Sequence, residues 1–273
     1  MMTQATGIPK KKETCRIMSQ VQIATGIFDL QVESSLATAA IPGQFAGLYV
    51  PNDAKMLPRP ISICDADSEK GILRFVYRVT GKNSGTAEIA RLKPGDQTDI
   101  LGLLGNGYDL SEADGKNAVL LGGGVGVPPM IHLAKKLTER QQETAGCLSV
   151  TSVMGYRNSE TFLAEEFKRY GVLRIATDDG SAGTQGTVLD VLKSGEPSDN
   201  TVYFACGPAP MLKALKKYVF STSSAENRAV PKLYISLEER MACGIGVCLG
   251  CVTKTVHKDA HYVPLNAHLC EPF

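Results

Sequence analysis

The sequence predicts a multidomain protein of mixed α+β and α/β class. An N-terminal antiparallel β-barrel is expected over 1–113, a central parallel-sheet nucleotide-binding domain over 114–228, and a small C-terminal module over 229–273. Three observations predict it. Short segments of strand character, separated by turn residues, fill the first part of the chain. From Ala118 onward, apolar runs alternate with helix-like stretches, the pattern of a parallel sheet covered on both faces. Four of the eight cysteines then crowd into the last thirty-one residues.

In the first domain, strands are expected over Arg16–Ala24, Ile27–Val32, Gln44–Val50, Arg59–Asp65, Gly71–Arg78 and Asp96–Leu101. Pro42-Gly43, Pro51-Asn52-Asp53, Ser68 to Gly71 and Lys93 to Asp96 supply the turns between them. Many short strands without long helices read as an antiparallel barrel or sandwich. One short helix is expected after Gly85-Thr86, running from Ala87 to Leu92, with a hydroxyl available to cap it.

Three pieces of this domain carry chemistry. In Arg59-Pro60-Ile61-Ser62 a guanidinium offers a planar fork to a pyrophosphate, and the Ser62 hydroxyl follows close behind. Val76-Tyr77-Arg78 offers an aromatic face and a second cation, although a strand tyrosine is more often core than stacking platform. Gly85-Thr86 opens the short helix, whose unpaired N–H groups suit a phosphate. Each piece is weak alone. Their order and spacing together are specific.

The pattern changes at Asp114 to Asn117. The apolar run Ala118 to Leu121 leads into Gly122-Gly123-Gly124-Val125-Gly126-Val127-Pro128-Pro129 and then a helix over Met130–Leu137. Strand, glycine loop and helix open a nucleotide-binding βαβ unit, with Gly122, Gly124 and Gly126 as the candidate loop glycines. Proline replaces the third glycine of the usual pattern, and at the first helical position it has no intrahelical N–H to lose. Further strands are expected at Leu148–Met154, Val172–Thr177 and Val202–Cys206, with helices at Ser159–Tyr170, Thr187–Lys193 and Pro208–Tyr218. Asp178, after a strand, can accept hydrogen bonds from ribose hydroxyls and repel a 2′-phosphate, which favours NAD; Asp178-Asp179-Gly180-Ser181 is equally an ordinary acidic turn. Arg157 pulls the other way, since it could accept that phosphate. Cys206-Gly207-Pro208 resembles a segment that lies near the nicotinamide in known nucleotide-binding reductases, and Cys206 is equally a small buried residue at a strand end.

The tail begins after a polar linker, Ser221 to Asn227. Leu233–Ser236 reads as a last strand, and Val252–Val256 with His261–Leu265 as a small hairpin. Cys243, Cys248 and Cys251 share one loop in C-x4-C-x2-C spacing, and Cys270 follows eighteen residues later. This is the plant-type ligand spacing for a [2Fe–2S] cluster. Gly244, Gly246 and Gly250 let the loop fold tightly and point amides at the sulfurs. Zinc is the rival metal, but its structural sites usually show two C-x2-4-C pairs. His257, His261 and His268 invite a Rieske centre, which would need two cysteines fewer.

Net charge is +1 and charged residues are 21% of the chain, so no strong field points to nucleic acid or an anionic membrane. Ala118 to Ala134 is the longest uncharged run, but four glycines and two adjacent prolines make it a turn rather than a membrane span. Cys15, Cys64, Cys147 and Cys206 are scattered, mostly in apolar runs, as thiols of a reducing compartment are. A cytoplasmic location is expected.

Arg-Pro-Ile-Ser, a Tyr-Arg strand and Gly-Thr at a helix start together resemble the flavin-binding domain of the ferredoxin reductase superfamily. More narrowly, with Pro42-Gly43-Gln44-Phe45 upstream and the cysteine loop behind, nearly the whole chain is similar to the electron-transfer subunits of two-subunit, NAD-linked class 1B dihydroorotate dehydrogenases. The loop Gly81 to Ser84 and the ending Glu271-Pro272-Phe273 depart from that pattern. The resemblance implies FAD held by Arg59, Pro60, Ile61, Ser62, Val76, Tyr77, Arg78, Gly85 and Thr86. It implies a [2Fe–2S] cluster on Cys243, Cys248, Cys251 and Cys270, and NAD on the second domain. It also implies a heterotetramer with an FMN-containing catalytic subunit, whose electrons would pass through the cluster and FAD to NAD⁺ in pyrimidine biosynthesis. No general base or pyrimidine clamp stands out in the chain, as that division of labour requires. The alternatives are a subunit of sulfide dehydrogenase or ferredoxin–NADP transhydrogenase type, relatives that tend to differ at the position of Cys243, and a zinc-stapled binding subunit.

Overall fold

The computed structural model describes residues 10–143, 146–195, 200–225, 231–237, 241–245, 247–248, 250–253 and 263–264. They divide into two units, one drawn from Met1–Gly107 and Glu238–Leu269 and the other from Tyr108–Leu237.

The first unit is built on β1 (Lys11–Ala24), β2 (Ile27–Glu33), β3 (Phe45–Leu48), β4 (Arg59–Asp67), β5 (Ile72–Arg78) and β6 (Gln97–Leu104), closed into a barrel in the order β1-β2-β5-β4-β3-β6. Neighbouring side chains on a strand point to opposite faces. Ile17 of β1, Leu30 and Val32 of β2, Ile61 and Ile63 of β4, and Leu73, Phe75 and Tyr77 of β5 therefore turn into one core. The short helix α1 (Gly85–Ile89) adds Ile89 to that core. Closure removes every sheet edge, and β1 supplies it. This strand begins at Lys11, ahead of the expected Arg16, because Lys11 and Lys12 pair with Gly102 and Leu101 of β6. Lys12 is ion-paired to Asp99 at 2.9 Å, and Thr14 Oγ1 donates to the same carboxylate at 2.7 Å. The consecutive polar residues Lys11 to Thr14 carry no hydrophobic period, so that end of the strand gives no signal in the sequence.

In the second unit, β7 (Asn117–Gly123), α2 (Pro129–Arg140), β8 (Ser149–Tyr156), α3 (Ala164–Phe167), β9 (Val172–Thr177), β10 (Thr184–Gln185), α4 (Val188–Lys193), β11 (Thr201–Cys206), α5 (Ala209–Ala225) and β12 (Lys232–Ser236) follow in turn. The sheet order is β10-β9-β8-β7-β11-β12, every pair parallel. Val188 and Val191 of α4 and Leu212 and Leu215 of α5 pack on Leu121, Val153, Tyr203 and Ala205. The helix α2 lies against β7 and β8. Phe204, of opposite parity to Tyr203 and Ala205, is fully buried and stacks on Tyr234 with ring centroids 5.4 Å apart.

Two helices depart from expectation. The stretch expected as one helix over Ser159–Tyr170 is helical only at Ala164–Phe167. Phe162 docks edge-on against Tyr156 at 5.2 Å, and the Tyr156 hydroxyl donates to the Phe162 carbonyl at 2.8 Å. Leu163 then takes φ +66°, which an α-helix cannot accommodate. Conversely, α5 runs on to Ala225 through the segment expected as a linker. Leu212, Leu215 and Val219 form one buried stripe at helical spacing along the helix up to that segment. At the tail, β13 (Val252–Thr253) pairs antiparallel with β14 (Val263–Pro264), the described part of the expected hairpin. Among the described residues no helix is long and apolar enough to cross a membrane.

Candidate functional site

Three sites emerge from these two units. The first lies where β4 meets the start of α1. Ile61 points into the barrel core, while Pro60 is exposed and Arg59 and Ser62 are half-buried. The Arg59 guanidinium lies directly against Gly85, so close that a Cβ added there would come within 2.7 Å of Nη2. With glycine there, the cation rests on the first turn of that helix; a larger residue would push the guanidinium aside. A phosphate placed there would meet a planar cation and the unpaired amides of a helix start together. These residues fit the diphosphate of FAD.

Ser84 caps the helix, its hydroxyl accepting from the Ala87 N–H at 3.1 Å. Thr86 Oγ1 accepts from the Thr80 N–H at 3.2 Å and lies 2.9 Å from the Ser84 hydroxyl, which draws the 81–84 loop onto the helix. On β5, Tyr77 is 4% exposed and faces inward, stacked on Phe28 at 6.1 Å. Gln20 Nε2 donates to its hydroxyl at 2.6 Å, and burial pushes the phenol up to about 12. The ring therefore belongs to the core. What β5 presents beside β4 is its backbone, with Val76 and Arg78 as the side chains of opposite parity. The residues that sequence reasoning missed are Asn52, Lys55 and Glu88. Asn52 Nδ2 donates to both Glu88 carboxylate oxygens at 3.1 Å, Lys55 ion-pairs with Glu88, and Lys55 Nζ donates to the Asn83 carbonyl at 2.7 Å. A capping hydroxyl was legible before the expected start at Ala87, but the helix begins two residues earlier, at Gly85, and its cap is Ser84. The Glu88 clamp spans 36 residues in sequence and left no local trace.

The second site is at the carboxyl ends of the parallel strands. The chain passes from β7 to β8 and β9 on one side, then returns to place β11 and β12 on the other. Such a reversal opens a crevice between the two central strands, where nucleotides bind. Gly122 stands opposite Cys206 on β11 and Met154 on β8. Gly124 has φ +58°, and a Cβ on Gly126 would sit 2.6 Å from the Gly207 nitrogen and overlap the Cys206 carbonyl. The glycine loop thus rests on the Cys206–Gly207 peptide, and three of the expected residues, Gly122, Gly126 and Cys206, meet at one point. Cys206 is fully buried, as a structural thiol would be. Beyond the loop, α2 starts at Pro129 with no side-chain cap, and the Met130 and Ile131 amides donate back to the Val127 and Pro128 carbonyls at 3.1 and 3.0 Å.

Asp178 is exposed at the end of β9, and its N–H donates to the Tyr156 carbonyl at 3.2 Å. The next amide, Asp179, donates to the Arg157 carbonyl at 3.3 Å, so Arg157 and Asp178 share one strand-end edge. The Asp179 carboxylate is already occupied, accepting from the Ser181 hydroxyl at 2.6 Å and the Ser181 N–H at 2.9 Å, which hold it below the usual range.

The third site is the cysteine loop. The Cys243 thiol is drawn down to about 6, first by the Cys248 N–H and also by the N–H groups of Ile245 and Val247 and the Cys248 side chain. Amides converging on one sulfur are what an iron–sulfur cluster requires of its loop. Gly244 has φ +71° and lies where an added Cβ would be 3.4 Å from Leu104 Cδ1, and Gly250 would approach Cys248 Sγ at 3.5 Å. Lys10 Nζ donates to the Ile245 carbonyl at 3.0 Å. Cys248 is exposed and Cys251 buried. The loop brings Cys243 and Cys248 together, while Cys270 and Gly246 lie outside the described residues. Among the described residues, no three His, Cys, Asp or Glu side chains are gathered around a common metal position. None of the described cysteines is in a disulfide, and burial pushes the Cys15 thiol up to about 12.

Comparison with known proteins covers these sites. The family model "Iron-sulfur cluster binding domain of dihydroorotate dehydrogenase B" matches residues 238–271, and "Oxidoreductase NAD-binding domain" matches 120–217. The electron transfer subunit of dihydroorotate dehydrogenase B (NAD⁺) from Streptococcus pneumoniae is 39% identical over 261 residues, covering 95% of this chain and 94% of that one. Its counterpart from Bacillus caldolyticus is 40% identical over 255 residues, covering 92% of each. Among solved structures, a chain of the NADH-dependent reduced ferredoxin–NADP oxidoreductase matches with a TM-score of 0.72 and 30% identity, over 87% of this chain and 81% of that one.

Proposed function

Because this chain belongs to the family of dihydroorotate dehydrogenase B electron transfer subunits, we propose that its three sites form one path, from a catalytic partner through the cysteine loop and the barrel to the nucleotide crevice. The chain is an NAD-linked oxidoreductase subunit that takes FAD, a [2Fe–2S] cluster and NAD. Its partner is the dihydroorotate dehydrogenase catalytic subunit, which carries FMN and oxidises dihydroorotate in pyrimidine synthesis. Nicotinamide exchanges two electrons at once and a cluster one, and FAD supplies the conversion between them.

The chain's own residues bind and orient. Arg59 and the start of α1 at Gly85 and Thr86 neutralise the FAD diphosphate, which the guanidinium resting on Gly85 supports. Pro60, Ile61, Ser62 and the β5 segment Val76 to Arg78 line the flavin, Ile61 and Tyr77 through their backbone because their side chains fill the core. Gly122, Gly124, Gly126 and Cys206 admit the nicotinamide nucleotide at the sheet crevice, and the exposed Asp178 turns toward the ribose. Cys243, Cys248, Cys251 and Cys270 hold the cluster, with the amides at 245, 247 and 248 supporting the first thiolate. Ile245 and Val247, 38% and 77% exposed on the same loop, suit a surface that the partner covers. The unbridged buried cysteines support a cytoplasmic location.

The observation that carries this reading is the amide cradle on Cys243. Protein purified without oxygen from iron-replete cells is expected to be coloured and to contain iron, sulfide and FAD. A folded preparation with neither iron nor flavin would overturn it.

A further inference from the structure

The segment joining β3 to β4 is held to the flavin cradle more firmly than a plain connection needs. Lys55 and Asn52 both engage Glu88 of α1, and Lys55 also reaches the Asn83 carbonyl. The Arg59 guanidinium, while lying on Gly85, donates through Nη1 to the carbonyls of Leu57 and, at 3.2 Å, of Lys55. One cation thus touches the diphosphate position and the loop together.

On this tethered loop, Met56 is 79% and Leu57 55% exposed, and Met56 is the most exposed large hydrophobic side chain among the described residues. Two adjacent apolar side chains turned to water on a restrained loop, beside a cation aimed at a diphosphate, lack only a flat apolar ligand. We propose that the 52–57 loop is the wall for the adenosine half of FAD, with Met56 and Leu57 against the adenine and Glu88 as the positioning residue that fixes the loop. The proposal rests on the assignment of Arg59 and Gly85 to the diphosphate. The chemistry selects a dinucleotide over a mononucleotide flavin. Adenine would bury the apolar pair, and its ribose diphosphate would extend from Arg59 toward the loop.

The test compares FAD with FMN, which keeps a phosphate but has no adenine. Flavin is exchanged on the full-length, cluster-containing chain and the dissociation of each flavin is measured. In a Met56→Gln, Leu57→Gln double variant, FAD is expected to bind about tenfold more weakly, the loss of two partly buried apolar contacts, while FMN changes less than about twofold. Glu88→Ala should weaken FAD in the same selective manner, and Glu88→Gln, which keeps an acceptor for Asn52, should recover part of the loss. Unchanged FAD binding in the double variant, or equal weakening of FAD and FMN, would overturn the adenosine wall. Arg59→Ala separates this from the underlying assignment, since it should weaken both flavins. If it weakens neither, the diphosphate site itself is wrong.

Discussion

Two glycine-rich loops do opposite jobs in this chain. In the 122–126 loop of the parallel sheet, what matters at Gly126 is the missing Cβ, because the loop sits against the Cys206–Gly207 peptide. In the cysteine loop, a Cβ on Gly244 would make only ordinary contact with Leu104 and Leu101, and the positive φ of +71° is what only glycine adopts cheaply. The first loop is a close approach of backbone to backbone that leaves a crevice for an exchanging ligand. The second is a turn that aims amides at a sulfur and, as proposed above, would keep its ligand in place. Similar composition therefore serves a site that opens and a site that closes.

The sharpest test of the contrast removes the closed site alone. Cys248→Ser should abolish the cluster, read as iron content and visible absorbance, while NADH oxidation by an artificial flavin-reoxidising dye stays within about twofold because that step needs only the flavin site of the barrel and the nicotinamide site of the other loop. Loss of both activities together would mean that the two loops do not serve separable steps. Gly126→Ala strikes the other site. With no room for a methyl against the Cys206–Gly207 peptide, overpacking of about 1–3 kcal/mol should raise the KM for NADH about tenfold and leave flavin and iron content unchanged. An alanine accepted there without effect would remove the distinction between the loops.

A smaller effect is expected at the rim of the crevice. Asp178→Ala should lower the preference for NADH over NADPH about fivefold, the worth of a hydrogen bond to a ribose hydroxyl plus a lost repulsion. A preference that does not move would assign Asp178 to the turn and shift attention to Arg157. The mildest change is Gly244→Ala, where the methyl has space but the backbone does not suit it. Destabilisation of about 1 kcal/mol should lower Tm by a few degrees and reduce iron retention, without altering the KM for NADH. A loss as large as that at Gly126 would show that contact, rather than φ, governs the cysteine loop as well.

Much of both loops was legible beforehand. The strand–glycine–helix order was right, although β7 runs on through Gly122 and Gly123 instead of ending at Leu121, and α2 begins at Pro129, one residue before the expected Met130. Cysteine spacing located the cluster loop without any fold. Legibility failed where a side chain's partner is distant. For Tyr77 the sequence left both a core ring and a stacking platform open, with core the commoner, and only the closed barrel with Phe28 and Gln20 around it shows which partners the ring has. The Ser159–Tyr170 stretch has helical composition, yet Phe162 on Tyr156 broke it.

By itself the sequence determined what is local: strand and helix periods, the glycines that permit a loop, the cysteine spacing, and the Arg59 to Ser62 segment. The tertiary structure alone decided which of these meet. Closure of the barrel through Lys11 and Lys12, the guanidinium of Arg59 on Gly85, Glu88 gathering Asn52 and Lys55, and Gly126 on the Cys206–Gly207 peptide all join residues remote along the chain. The reason is physical. Periodicity and turn chemistry follow from backbone geometry within a few residues, whereas a missing Cβ or a buried ring acquires its meaning from the atoms that folding brings against it.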